Sequence, residues 1–158
     1  MANSKLTAAK EATRVLQHLL VGEQPSGLRF GTTQILFQSS PGKPKGEPYV
    51  NLASAWCVFP SLPASLPATE SAVSGPASEE EEYESIISLR HKTVIDVEVC
   101  HPIPHLLIKF DDGSVLYVNG HNEQYEPWQA GQSFSESETW LVVACPRDSI
   151  AIWAPDRF

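Results

Sequence analysis

Hydrophobic positions change period several times along the chain, and each change marks an element. From Ser4 to Leu20, Ala8, Ala12, Val15, Leu16, Leu19 and Leu20 recur at the spacing of one helical face, with Lys5, Lys10, Glu11 and Arg14 largely elsewhere. This predicts an amphipathic helix with Ser4 as N-cap and Gly22 as stop. Its stripe either packs on the protein's own sheet or meets a partner. Gly27 to Phe37 reads as a strand, a turn at Gly31 and a second strand, and Tyr49 to Phe59 is strand-like again. Between them, Ser39 to Pro48 is a Pro/Gly-rich surface loop.

Residues 60–78 hold Pro, Ala and Ser in place of a hydrophobic period, so they are expected to form a flexible connector. Ser78 and Glu81 then have capping-box spacing, and Tyr83, Ile86, Ile87 and Leu89 give a second, short amphipathic helix. Val94, Val97 and Val99 nearly alternate. After a break at His101 to Pro104, Leu106–Phe110 and Val115–Val118 flank Asp111-Asp112-Gly113, which predicts a hairpin because Asp and Gly tolerate the positive φ of tight turns. Gln129 to Glu138 is expected to be a polar loop. Thr139–Cys145 and Ser149–Trp153 are expected to form a final hairpin around Pro146-Arg147-Asp148.

The order of elements repeats. A helix, Leu28-Arg29-Phe30, Gln34–Phe37, Tyr49-Val50-Asn51 and Trp56 are followed by a helix, Val97-Glu98-Val99, Leu107–Phe110, Tyr117-Val118-Asn119 and Trp128. The expected fold class is α+β: an antiparallel sheet or partly closed barrel built from two similar helix-plus-strands halves, with covering helices. Residues 1–59 would form the first half, 60–78 the connector and 79–158 the second half, all in one compact domain.

With 42% apolar residues in 158, the chain can bury a real core. It has no apolar run of membrane-spanning length and no continuous signal-peptide core, so a soluble cytoplasmic protein without membrane association is expected. Cys57, Cys100 and Cys145 have no CxxC spacing and suit reduced thiols. The net charge of −8 is uneven: up to Pro48 six Lys/Arg outnumber three Glu, while the remainder is strongly acidic. Such a body repels nucleic acid and steers basic partners, or serves solubility alone.

Candidate chemistry is sparse. His101 and His105 flank two prolines and match no established metal-ligand spacing, and no nucleophile elbow or phosphate loop is present. No catalytic residue, metal ligand or cofactor is therefore assigned. Two groups suit protein binding: the acids Glu79, Glu80, Glu81, Glu82 and Glu84, and the cluster Tyr117, Asn119, His121, Glu123, Tyr125 and Glu126. The acids also serve as a helix's first turn, and the second cluster also reads as a loop anchored by Tyr125 and Trp128.

Phe110-Asp111-Asp112-Gly113, Tyr125-Glu126-Pro127-Trp128 and the closing run from Leu141 to Trp153 resemble a group of small bacterial proteins with a duplicated β-rich unit, some of them similar to immunity proteins that neutralise a cognate toxin. The resemblance covers mainly residues 86–153. It implies a non-enzymatic binding protein that occludes a cognate toxin, and the acidic body adds the expectation that the toxin's site is basic. Two alternatives stand beside it: a small-molecule or enzymatic pocket between the halves using His101 and His105, and a homodimeric module formed through an edge strand.

Overall fold

The computed structural model describes residues 2–136 and 138–158. Met1, at the head of the N-terminal stretch, and Ser137, within the expected loop 129–138, lie outside the described residues. The elements run α1 (Ala2–Leu20), β1 (Pro25–Arg29), β2 (Gln34–Phe37), β3 (Glu47–Leu52), β4 (Trp56–Phe59), α2 (Glu79–Ile87), β5 (Val94–Val99), β6 (Leu106–Phe110), β7 (Val115–Val118), β8 (Trp128–Ser133), β9 (Leu141–Cys145) and β10 (Ser149–Trp153). The architecture is α+β with two antiparallel sheets and no closed barrel. One sheet has the order β1-β2-β3-β8-β9-β10 and the other β4-β7-β6-β5.

Helix α1 buries its predicted stripe at home. Ala12, Val15, Leu16, Leu19 and Leu20 are all solvent-inaccessible or nearly so, against β5 on one side and β8, β9 and β10 on the other. Ser4 sits inside the helix, not at its cap, because the helix already begins at Ala2. Gly22 ends α1 as expected: its φ of +90° is one that glycine adopts without Cβ strain, and its amide donates to the Val94 carbonyl at 2.8 Å.

The inner faces of both sheets share one core. Ile35, Val50 and Leu52 meet Trp128, Ala130, Val142 and Ala144 from the longer sheet, and Val97, Ile108, Phe110, Leu116 and Val118 from the shorter one, all around α1. Register follows the period of two. The predicted hairpins pair Ile108 with Leu116 and Ala151 with Val143, and Gly113 takes the turn at φ +91°. The β1–β2 pair sets Leu28 opposite Ile35 with a bulge between Pro25 and Gly27. The β5–β6 pair sets Val97 opposite Ile108 with a bulge between Val94 and Asp96.

Part of the expected polar loop 129–138 is instead strand. Trp128–Ser133 forms β8, paired to β3 (Leu52 opposite Trp128) and to β9 (Trp128 opposite Ala144). Its Gln-Ala-Gly-Gln-Ser sequence has little strand character of its own; ladders on both sides supply the bonds. Gly131 is required there, because a Cβ would run into the Trp140 carbonyl.

The connector lies against the outer face of the shorter sheet. Leu66 and Val73 pack on Cys57, Leu107, Val115 and Tyr117, which makes that sheet apolar on both faces. Two apolar side chains in an otherwise Pro/Ser/Ala-rich stretch anchor it. Helix α2 begins at its expected cap: Ser78 accepts from the Glu81 amide at 3.2 Å, while the Glu81 carboxylate takes the amide of Ala77, one residue before the cap, at 2.8 Å. Beyond α2, His91 adopts φ +77°.

Candidate partner-binding face

Residues 46–89 hold Glu47, Glu70, Glu79, Glu80, Glu81, Glu82 and Glu84 and no Lys or Arg. The fold brings two of these acids, Glu70 and Glu82, to one turn, Ser54-Ala55, between β3 and β4. A cleft of about 300 Å³ opens there, lined by Ser54, Ala55, Trp56, Val73, Pro76 and Glu82. Glu82 reaches it from α2, held by the Thr33 hydroxyl donating at 2.6 Å. On the other side of Ala55, the Glu70 carboxylate accepts from the Ala55 amide at 3.4 Å and from the Tyr125 hydroxyl at 3.1 Å. The two acidic groups singled out in the sequence are therefore joined through the connector.

The loop 121–126 is built from below by Asn119. That residue is 1% exposed, its amide donates to the Ala55 carbonyl at 2.9 Å, its carbonyl accepts from Ser54 at 2.5 Å, and its side-chain amide donates to the His121 carbonyl at 2.8 Å. Asn122 closes the loop by accepting from the amides of Gln124 (2.8 Å) and Tyr125 (3.0 Å). The turn between β9 and β10 clamps it. The Arg147 amide donates to the Asn122 carbonyl at 2.9 Å, and His121 Nδ1 lies 2.7 Å from Asp148 Oδ1. Both Arg147 and Asp148 sit at positive φ, 62° and 65°, a sparsely populated region for residues other than glycine.

Electrostatics follow from this geometry. The bond to Asp148, joined by the fields of Asp148, Glu123 and Glu70, raises the His121 pKa above its ordinary value. Glu123 lies 3.5 Å from its Nε2. Partial burial and the bond to Glu70 raise the Tyr125 hydroxyl. Tyr83 is raised chiefly by its bond to Glu79 at 2.9 Å.

Of the expected binding residues, Glu79, Glu80, Glu81, Glu84, Glu123, Tyr125 and Glu126 are exposed, Glu82 and His121 half-buried. Tyr117 and Asn119 are corrected. Tyr117 is fully buried with its hydroxyl 3.2 Å from His105 Nδ1, and Asn119 is a strut, so neither can touch a partner. Residue type alone suggested a surface; alternation along β7 sends Tyr117 under the connector. Glu70 and Asp148 were missed. The absence of cations from 46–89 was the signal that could have found Glu70. Asp148 had none, since a left-handed turn was needed to bring it to His121.

The histidines considered for chemistry are placed apart. His101 is exposed, whereas His105 is half-buried and uses Nδ1 to accept from the Gly120 amide at 2.9 Å. Desolvation lowers the His105 pKa and pushes the Cys100 thiol up to about 11, which keeps that sulfur protonated at neutral pH. Among the described residues, no cluster of three or more His, Cys, Asp or Glu has a metal-binding arrangement. None of the described helices is long and apolar enough to cross a membrane.

Fold and face together define a two-sheet α+β domain bearing an acidic, loop-built surface. Searches of protein-family models, curated proteins and solved structures find no significant match for the chain.

Proposed function

We propose that the chain is a non-catalytic binding protein of the immunity type, which occludes a basic site on a cognate toxin domain with this acidic face. The observation that carries the reading is the placement of Glu82 at the cleft and of Glu70 beside both Ala55 and Tyr125, the latter in the clamped loop that also bears Glu123 and Glu126. Carboxylates at such density steer a cationic partner and give it charge-assisted bonds on arrival. The exposed Tyr125 adds the aromatic contact that protein interfaces favour.

Affinity capture from the protein's own cells, with mass spectrometry at low and high salt, tests this. A stoichiometric basic partner, released by salt and lost from an E80K/E84K/E123K variant, is expected; all three side chains are exposed. Co-expression should then relieve that partner's toxicity. A partner held equally by wild type and variant, or one whose activity is untouched, would overturn the reading.

We also infer that residues 1–59 and 79–158 are one helix-plus-strands unit used twice, joined by 60–78. The shared bulges of β1 and β5 support it, as do the positive φ of Gly22 and His91, each after its helix. Equivalent bonds run from Gln38 to Gln24 and from Asp111 to Thr93. On this reading the fourth strands are exchanged, β4 pairing with β7 and β8 with β3. Pairing across Ile35 and Ile108 equates Val50 with Leu116, two residues away from the match of Tyr49 with Tyr117 that the sequence suggests.

A further inference from the structure

A β-sheet edge offers unpaired backbone groups to any passing strand, and native proteins blunt such edges. The two sheets have four edges, three of them obstructed. On β5, the Thr13 hydroxyl of α1 bonds both backbone groups of Val99, and Gln17 donates to the Val97 carbonyl at 3.2 Å. On β4, the connector approaches so closely at Gly75 that a Cβ there would strike the Trp56 carbonyl. On β1, Pro25 and the adjacent bulge break the ladder's outer row, and α2 lies alongside. The remaining edge, β10, has α1 packed on its core side, but among the described residues neither a proline nor a bulge interrupts its outer row. Its register against β9 runs unbroken from Ser149 to Trp153, and those five residues include no charge and no proline.

We propose that β10 pairs antiparallel with β10 of a second copy of this chain, joining two six-stranded sheets into one across a two-fold axis at Ala151. Three features of the strand favour a second copy over a foreign peptide. First, Ser149-Ile150-Ala151-Ile152-Trp153 is self-complementary. Pairing about Ala151 sets Ile150 opposite Ile152 of the other copy on the core side, and Trp153 opposite Ser149 on the outer side.

Second, small residues lie where the large ring must go. Trp153 is 49% exposed, and in the pair its ring covers Ser149 and Ala151 of the other copy. Third, the flanks are charge-complementary. Arg147-Asp148 precedes the strand and Asp156-Arg157 follows it, so antiparallel pairing brings each end with one cation and one anion against the opposite end. For a chain of net charge −8, this neutral stretch is where two copies meet with least repulsion.

A five-residue ladder is small for an interface, so the association should be concentration-dependent. Sedimentation equilibrium of the full chain from low to high micromolar concentration is the test. The apparent mass should rise from one chain towards two. Ala151→Glu places like charges across the axis on the solvent side of the sheet, and is expected to weaken association at least tenfold. Ala151→Cys should form a covalent dimer under mild oxidation where the wild type, with Cys57, Cys100 and Cys145, forms none. A wild type that stays monomeric throughout overturns the proposal, as does an Ala151→Cys chain that does not cross-link while the wild type dimerises. If Ala151→Glu fails to fold by circular dichroism, the cysteine variant decides alone.

Discussion

The hydroxyl of Thr13 sits against both backbone groups of Val99: it accepts from the amide at 2.9 Å and lies 3.4 Å from the carbonyl. A helix side chain thereby completes the edge of a sheet 86 residues away in sequence. Thr13→Val keeps the shape and removes the oxygen. Leaving a part-buried amide without its acceptor costs about 1–3 kcal/mol, and the loss should appear as a lower urea midpoint with an unchanged slope.

Trp128 joins the two sheets. It is fully buried, and its indole N–H donates to the Pro104 carbonyl at 2.8 Å. Trp128→Phe retains most of the apolar contact but orphans that carbonyl. A loss of about 1–3 kcal/mol in chemical denaturation is expected, with the fold preserved by circular dichroism.

Gly120 packs under the same turn. A Cβ at this position would overlap the Pro104 carbonyl and the His105 backbone, neither of which is a flexible side-chain end. Gly120→Ala should therefore lose at least about 1–3 kcal/mol, the range for overpacking, and shift the thermal midpoint accordingly. Gly113→Ala is a contrast: its Cβ meets open space, and only the φ of +91° opposes it.

His121 and His105 should respond to pH in opposite senses. The His121 pKa is raised in the folded state, chiefly by Asp148, so its contribution is fully present below the unfolded value near 6.5 and is lost as pH rises through the raised value. The His105 pKa is lowered by burial, so its contribution is present above about 6.5 and declines as pH falls towards the lowered value. In NMR titrations, Asp148→Asn should bring the His121 midpoint down while leaving the sense of the His105 shift unchanged. A His121 midpoint that does not move would remove Asp148 as the cause.

The connector should depend on its two apolar anchors. Leu66→Ser with Val73→Ser removes the contacts to Cys57, Leu107, Val115 and Tyr117. Limited proteolysis should then cleave within residues 60–78 well before the remainder, and faster than in the wild type. The Cys57 thiol, pushed up to about 11 by burial under this segment, should become accessible to thiol reagents in the same variant.

Much of the fold was legible along the chain because period and turn chemistry are local. The stripe of α1, the cap at Ser78 and the hairpins around Gly113 and Arg147 each follow from residues within a few positions of one another. The acidic clusters were legible too, as composition. Tyr117 and Asn119 carry no local sign of their burial, because aromatic and amide side chains suit either side of a sheet and what covers them comes from distant segments.

Sequence by itself therefore determined most element types, the hairpin turns, the charge and the placement of acids in the second half, all quantities set by near neighbours. Tertiary structure decided the rest. It made Gln129–Ser133 a strand, because β3 and β9 offer ladders on both sides. It laid the connector on the shorter sheet, brought Glu70 to Tyr125 across 55 residues, and turned Asp148 towards His121 through a left-handed bend. Those outcomes rest on hydrogen bonds and burial between distant segments, whose free energy no local pattern encodes.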